Sequence, residues 1–513
     1  MPAPLLRAIE QLAAYSPPRS SPTRPTPDEI ERFPVSLLYQ RLKDGPLVIA
    51  RNRYVGRDYS GRFGNFFMHA LVSEAPATAP LSVAPICLWD ADFWRHDGTG
   101  VSTQAVPSHD LDAERYPFET QSVARFLKEG NRLSWVSRFL GAVEVALSTG
   151  RRIIVVDSDV NVAAWIRLAC SVLPDGLAQA LTFDTYARSP YERDVLLVGT
   201  CPDTDFRFSP HEMEYQFFVF DMNGNRSSRT LPETPFSRAV AKACAEGRYE
   251  AVAAFPGFVR GVGLSVSASA LSDAATYFAI QSRLAVDHPE SARTLAWCAE
   301  NVDRLEVENL RDVLRMLLKE GADEASMGDS LCALLRACQA PGRETAARAC
   351  REALAPWLFE VVTGGRSFDW ISPLLASAPS LVHPYSESVL MEMRRKTEAC
   401  HDARRCRVLL EILDHIGALA EKSTKSRDLG ASKIDLLLSD SEAQAFLGGK
   451  VASGAWKEFF VGAVARCNQN LGPSGALSPE WERLLSNGTA RDVLLAIASE
   501  VGAADLQREI GRL

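Results

Sequence analysis

The stretch RNRYVGRDYSGRFGNFFMHALV, residues 51–72, holds the densest local information in the chain. Gly56, Gly61 and Gly64 lie close together in it. Glycine adopts positive φ at no steric cost, so the backbone is expected to bend sharply here and to leave amides facing a ligand. Arg57 and Arg62 flank the bend, and guanidinium groups hold carboxylates or phosphates in a bidentate fork. Asp58 is positioned to pair with one of them, Ser60 and Asn65 add polar side chains, and His69 titrates near neutrality if it borders the same pocket. The candidate binding set is Gly56, Arg57, Asp58, Ser60, Gly61, Arg62, Gly64, Asn65 and His69. The same residues also fit a plain turn whose arginines and aspartate are satisfied by each other or by water.

Before this stretch, Val35–Leu42 and Leu47–Tyr54 read as short β runs joined by the hairpin signal Lys43-Asp44-Gly45. Earlier still, PPRSSPTRPTP (17–27) cannot continue a helix or enter a central strand, so it reads as a tether after a short helix over Leu5–Tyr15. After it comes the apolar run Ala84–Leu88 and an irregular acidic and aromatic region, Trp89–Tyr116. Within that region DADFWRHD would bind a metal only if His96 and two of Asp90, Asp92 and Asp97 converged.

From Glu119 the apolar spacing becomes helical through Leu147, with a break at Gly130-Asn131 and Gly150 as the C-cap. Ile153–Val156 is apolar without alternation, the mark of a strand covered on both faces. Asp157-Ser158-Asp159 follows at its carboxyl end. Ligand sites in open α/β sheets lie at that end, and two carboxylates there are a candidate Mg²⁺ pair; the competing reading is a capped start for the helix carrying Val162, Trp165, Ile166 and Ala169. Pro174 stops that helix. Leu181–Tyr186, Val195–Val198 and Tyr215–Phe220 read as further strands, and Asn223-Gly224-Asn225 as a tight turn. This order predicts an α/β layer with a right-handed crossover. Beyond Ser237 only helical stripes appear, such as Leu310/Val313/Leu314/Leu317 and Leu409/Ile412/Ile416/Leu419, with Gly321, Gly342 and Gly417 near helix ends. No fixed-length repeat runs through them, so an irregular stack of helical hairpins is expected. The fold class is thus an α+β N-terminal half of small mixed sheets with helices, followed by an all-α helical C-terminal region. The expected domains are 1–30 (leading helix and tether), 31–118 (α+β), 119–236 (α/β) and 237–513 (helical).

Composition narrows the function. Apolar residues make up 46% and charged residues 23% of 513, which is globular, and no apolar run approaches the length of a membrane span. The start, MPAPLLRAIEQLAAY, lacks a signal-peptide pattern, so a cytoplasmic protein is expected. A net charge of -8 makes nucleic acid an unlikely partner. Eleven cysteines without any CxxC read as reduced thiols, and Cys400, His401 and Cys406 lack the further ligand pair of a closed zinc site. GxxxxGK[ST], HExxH, GxSxG and a strand-to-helix GxGxxG are all missing, which leaves no complete catalytic set and no implied cofactor.

Residues 51–72, together with LLRAIEQLAAYSPPRSSPTRPTPDEIERFPVSLLYQRL (5–42), resemble the type-two N-terminal domain of the GTPase-associated protein 1 family. GRRIIVVDSDVNVAAWIRLACSVLPDGLAQALTFDTYARSPYERDVLLVGT (150–200) resembles that family's middle domain. Family members usually open with a strand and a Cys/Gly-rich turn ahead of the helix seen here at Leu5, so the first domain is expected to lack an edge element. The resemblance implies a bacterial protein tied to a GTPase partner in signalling or conflict systems, with no established catalytic residues. The expected function is a non-enzymatic adaptor or sensor that binds a ligand or partner through Gly56–Asn65 and docks a GTPase or other effector protein through its helical half. Two alternatives stand beside it: a metal-dependent enzyme with Asp157, Asp159 and His69 or Asp58 around a divalent ion, acting on a phosphate-containing substrate, and an arginine finger, Arg57 or Arg62, acting on a partner GTPase.

Overall fold

A computed structural model describes residues 3–512 except 14, 43–45, 59, 74–80, 82, 99–110, 112–113, 210–214, 285–290, 321–323, 364–386, 416–418, 420–423 and 472–474. The chain divides into two compact units, Met1–His288 and Pro289–Leu513.

In the first unit, the apolar run at 153–156 becomes a central strand because both of its faces find cover. The strands are β1 (Ser36–Arg41), β2 (Leu47–Arg57), β3 (Phe63–Val72), β4 (Arg152–Val156), β5 (Phe183–Asp184), β6 (Leu197–Thr200), β7 (Phe217–Asp221) and β8 (Arg226–Ser227). All stand in one mixed sheet, ordered β3-β2-β1-β5-β6-β4-β7-β8. β4 runs parallel to both neighbours, β6 and β7, while β1, β2 and β3 form an antiparallel meander. The helices of this unit are α1 (Ala3–Leu12), α2 (Pro27–Glu31), α3 (Thr120–Lys128), α4 (Val136–Thr149), α5 (Asp159–Val172), α6 (Asp175–Ala180), α7 (Pro235–Ala245), α8 (Tyr249–Ala253), α9 (Phe255–Gly261) and α10 (Leu271–Gln281).

On one face, Ile154, Val156, Val198 and Val219 pack with Leu38, Val48 and Ala50 beneath Ile9 of α1. On the other, Phe139 of α4 lies 5.7 Å from the Phe220 ring and 4.9 Å from Trp165 of α5. Gly199 permits that layer: a Cβ there would stand 2.1 Å from the Thr185 carbonyl oxygen and 2.7 Å from Val162 of α5. Gly150 caps α4 at φ +76°, its N–H donating to Ala146 O, as its position after the helical run predicts. The break at 130–131 separates α3 from a short 3₁₀ turn and α4.

Three local differences from the sequence reading stand out. Phe63–Val72 forms a strand, an element that the sequence reading does not include. The run at 181–186 contributes only two strand residues, and β8 completes a hairpin around the expected turn at 223–225. Most consequential is the seam between β1 and β5, which pairs Leu38 with Asp184 and Tyr39 with Phe183. Side chains reinforce it: Ser36 Oγ donates to Asp184 Oδ1 at 2.7 Å, Leu37 N to Thr185 Oγ1 at 2.8 Å, and the Arg193 guanidinium reaches buried Asp184 at 3.1 Å. The two sets of strands read separately from sequence thereby become a single sheet. Residues 237–281, helical as expected, pack in this same unit, where buried Glu144 of α4 accepts hydrogen bonds from Thr234 and Ser272. The Lys43–Gly45 turn lies outside the described residues, as do Gly321, Ile416 and Gly417.

The second unit is helical: α11 (Ser291–Asn301), α12 (Val307–Glu320), α13 (Glu324–Cys338), α14 (Glu344–Thr363), α15 (Glu387–Glu398), α16 (Ala403–His415), α17 (Thr424–Leu438), α18 (Ser441–Ala452), α19 (Lys457–Leu471), α20 (Pro479–Leu485), α21 (Gly488–Glu500) and α22 (Ala504–Arg512). Alternate helices pack together, α11 on α13, α12 on α14 and α17 on α19, which is how stacked hairpins bury their apolar stripes. α17 and α19 meet at backbone distance, for a Cβ on Gly430 would lie 1.8 Å from Phe459 O and one on Gly462 1.8 Å from Arg427 O. Among the described residues, no helix is long and apolar enough to cross a membrane.

Candidate functional site

The segment 56–65 is the tip of the β2–β3 hairpin. All three glycines take positive φ: +91° at Gly56, +83° at Gly61 and +107° at Gly64. Gly56 sits where the β2–β3 register shifts, a bulge that needs a residue free to adopt this backbone. The tip then closes on Asp58. Its Oδ1 accepts from Ser60 N (2.8 Å), Ser60 Oγ (2.7 Å) and Arg62 N (2.9 Å), and its Oδ2 accepts from Arg62 Nε at 3.0 Å. The Ser60 hydroxyl and the Arg62 amide hold the Asp58 carboxyl down to about 2, well below the usual carboxylate range.

This network corrects the expectation of outward-facing amides. Asp58 N donates to Arg62 O, Gly61 N to Asp58 O, and Gly64 N to the Tyr54 hydroxyl, so the loop consumes its own donors. Asn65 Nδ2 likewise donates to Arg57 O at 3.3 Å. The guanidinium groups remain. Arg57 lies over the Phe63 ring at 4.5 Å and makes no ion pair among the described residues. Arg62 uses Nε on Asp58 and Ser60, while its side chain is 77% exposed. Among its described residues the tip is therefore a self-bonded loop with two supported arginines.

His69 is not brought to this tip. It faces Arg51 across the β2–β3 ladder, about 20 Å along β3 from the bend at the usual strand rise. It is buried against Trp94 at 5.2 Å between ring centroids, with Nδ1 accepting from Arg95 N at 3.1 Å.

Asp157 and Asp159 are each taken up by the chain. Asp157 Oδ1 accepts from Ser158 N at 2.8 Å and Asn161 Nδ2 at 2.9 Å, and Ser158 serves as the N-cap of α5. Asp159 Oδ2 accepts from Val35 N at 2.7 Å, tying the start of α5 to the entry of β1. Burial raises the Asp159 carboxyl above its ordinary value, against the pull of the Val35 amide. In the DADFWRHD loop, Asp90 pairs with Arg167 and Asp92 with Arg115, so these acids do not meet at His96. Cys406 is buried and Cys400 half-buried beside exposed His401. Among the described residues, no three His, Cys, Asp or Glu side chains are placed to share a metal ion. In the second unit a cavity of about 360 Å³ opens beside Asp435, Cys467 and Trp481, and none of the sequence candidates lines it.

The sequence reading missed a cationic group on the same hairpin. Arg51 and Arg53 alternate along β2 and therefore share one face, and His96 contacts Arg53. The pattern Arg-x-Arg within a strand was the available signal.

Residues 1–110 match the model for GTPase-associated protein 1, N-terminal domain type 2, and residues 123–224 match the model for GTPase-associated protein 1, middle domain. Two proteins described as "Putative ESX-1 scaffolding and assembly protein SaeB", from two strains of Mycolicibacterium smegmatis, are each 31% identical over 172 residues. The match covers 33% of this chain and 21% of each relative, so the chain spans about a fifth of the length of the curated relatives it matches. No solved structure is significantly similar.

Proposed function

Residues 1–110 and 123–224 match, in order, the N-terminal type 2 and middle domains of the GTPase-associated protein 1 family, and on that premise we propose a non-enzymatic adaptor of a GTPase-linked bacterial system. In this reading the β2–β3 tip engages an acidic surface of a partner protein, and the helical second unit docks the GTPase or another effector. One observation carries it: Arg57 and Arg62 are held by Phe63 and Asp58 in a preset arrangement while Arg62 stays largely exposed. Side chains fixed before contact lose little freedom on binding, and guanidinium groups favour bidentate carboxylate pairing. The scaffolding and assembly role in the name of the SaeB relatives fits an adaptor.

The test is affinity capture from the native cell with the wild type and with an Arg57→Ala/Arg62→Ala variant, read by quantitative mass spectrometry. A GTP-binding protein should be captured by the wild type and depleted from the variant at an unchanged melting temperature. Equal capture by both removes the tip from the interface, and a lower melting temperature assigns the arginines to the fold. The exposed Arg62 also favours a second reading, an arginine finger. GTP hydrolysis by the captured GTPase, measured with and without the protein, decides between them: a rise of about 10³-fold or more that needs Arg57 or Arg62 supports the finger.

A further inference from the structure

We infer that Arg51, Arg53 and His96 form a second binding site, specific for a small phosphate-type oxyanion and separate from the hairpin tip. The site arises from strand geometry. Arg51 and Arg53 lie two residues apart in β2, opposite His69 and Phe67 of β3, so both project from the face that the segment 85–98 covers. That segment is fixed along the two strands: Trp89 lies 5.9 Å from the Arg51 guanidinium, Trp94 packs on His69, and a Cβ on Gly98 would stand 3.9 Å from the Phe67 ring. His96 is thereby delivered to Arg53, whose Nη1 contacts its Nδ1. With Nδ1 accepting, the ring proton sits on Nε2, which leaves His96 a hydrogen-bond donor as the guanidinium groups are.

Three features mark this cluster as made for an anion. First, like charges converge without a direct counter-ion: neither Arg51 nor Arg53 forms an ion pair with a carboxylate among the described residues. The nearby acids act on the cluster without pairing directly with Arg51 or Arg53: Asp90 pairs with Arg167, Asp159 accepts from Val35 N, and Asp97 lies close enough to His96 to act on its charge. Second, Arg51 Nε is buried with no hydrogen-bond partner, so no protein acceptor holds this edge of the guanidinium. Third, burial and the two neighbouring arginines push His96 below its ordinary value, so the cluster's own field opposes a further positive charge and welcomes a negative one. Two forked cations and one neutral donor match the oxygens of a phosphate group.

Isothermal titration calorimetry at low salt, with inorganic phosphate, pyrophosphate and a phosphoserine peptide as separate probes, tests the proposal on the full chain. Binding of at least one probe is expected, weakened about tenfold or more by Arg53→Ala and by His96→Ala at unchanged melting temperature, and retained by Arg57→Ala/Arg62→Ala. Preference for the free anions marks a small-molecule ligand, and preference for the peptide marks a phosphorylated partner. Absence of binding, insensitivity to both substitutions, or loss only in the Arg57/Arg62 variant overturns the proposal. That last variant keeps this result independent of the adaptor reading. Should Arg53→Ala lower the melting temperature, Arg53→Lys keeps the charge without the fork and is expected to weaken binding while preserving the fold.

Discussion

Replacing Asp159 separates a structural carboxylate from a metal-binding one. Its Oδ2 accepts the Val35 N–H at 2.7 Å and thereby fastens α5 to the chain entering β1. Asp159→Ala removes the acceptor and strands a half-buried amide, which costs about 1–3 kcal/mol. For a unit of this size that lowers the melting temperature by between about 2 and 10 °C. Asp159→Asn keeps an acceptor oxygen and removes the charge. Because burial raises the folded-state carboxyl, the ionised form is disfavoured in the fold, and wild-type stability declines as pH rises from the ordinary aspartate range through the raised value. The Asn variant is therefore expected to match or exceed the wild type at neutral pH, with the difference fading as pH falls below the ordinary aspartate value. Urea and thermal unfolding followed through buried Trp165 report all three proteins. A thermal upshift on adding millimolar Mn²⁺, present in the wild type and lost in both variants, would refute the tether and restore the metal-dependent alternative.

Three further outcomes follow from the hairpin. Gly56→Ala places a Cβ 2.9 Å from Ile30 Cδ1 at φ +91°, and should destabilise the first unit by about 1–3 kcal/mol in equilibrium unfolding, whereas Ser60→Ala should leave the strands in place. The Asp58 carboxyl, held at about 2, should remain ionised at pH 4 when followed by carbon-detected NMR; what it contributes to the tip is present above the ordinary aspartate value and lost only as pH falls through 2.

Much of the first unit was readable because its signals are local. β4 announces itself as an unbroken β-branched run, and Gly150 and Ser158 mark the ends of α4 and α5. β3 escaped because most of its residues are half-covered on both faces, so the alternation that identifies an exposed-edge strand is absent, and Gly61 and Gly64 dominate the local pattern. The union of the strands in one sheet was beyond reach, since Leu38 and Asp184 pair across a long separation with no motif to announce it. At the candidate site, an Asp58–arginine pairing was legible from spacing. Which arginine it chose, and that the loop spends its own amides, depends on hydrogen-bond geometry that residue identities do not encode. His69 shows the same limit, because its partner Trp94 comes from a segment whose path over the sheet no periodicity reveals.

The zipper between β1 and β5 binds the two family segments more tightly than their separate boundaries imply. Severing the polypeptide between residues 110 and 123 would leave each piece with a raw row of unmatched backbone donors and acceptors, and buried Asp184 deprived of the Ser36 hydroxyl. Two such pieces, made apart and mixed, are expected to reassemble across this seam.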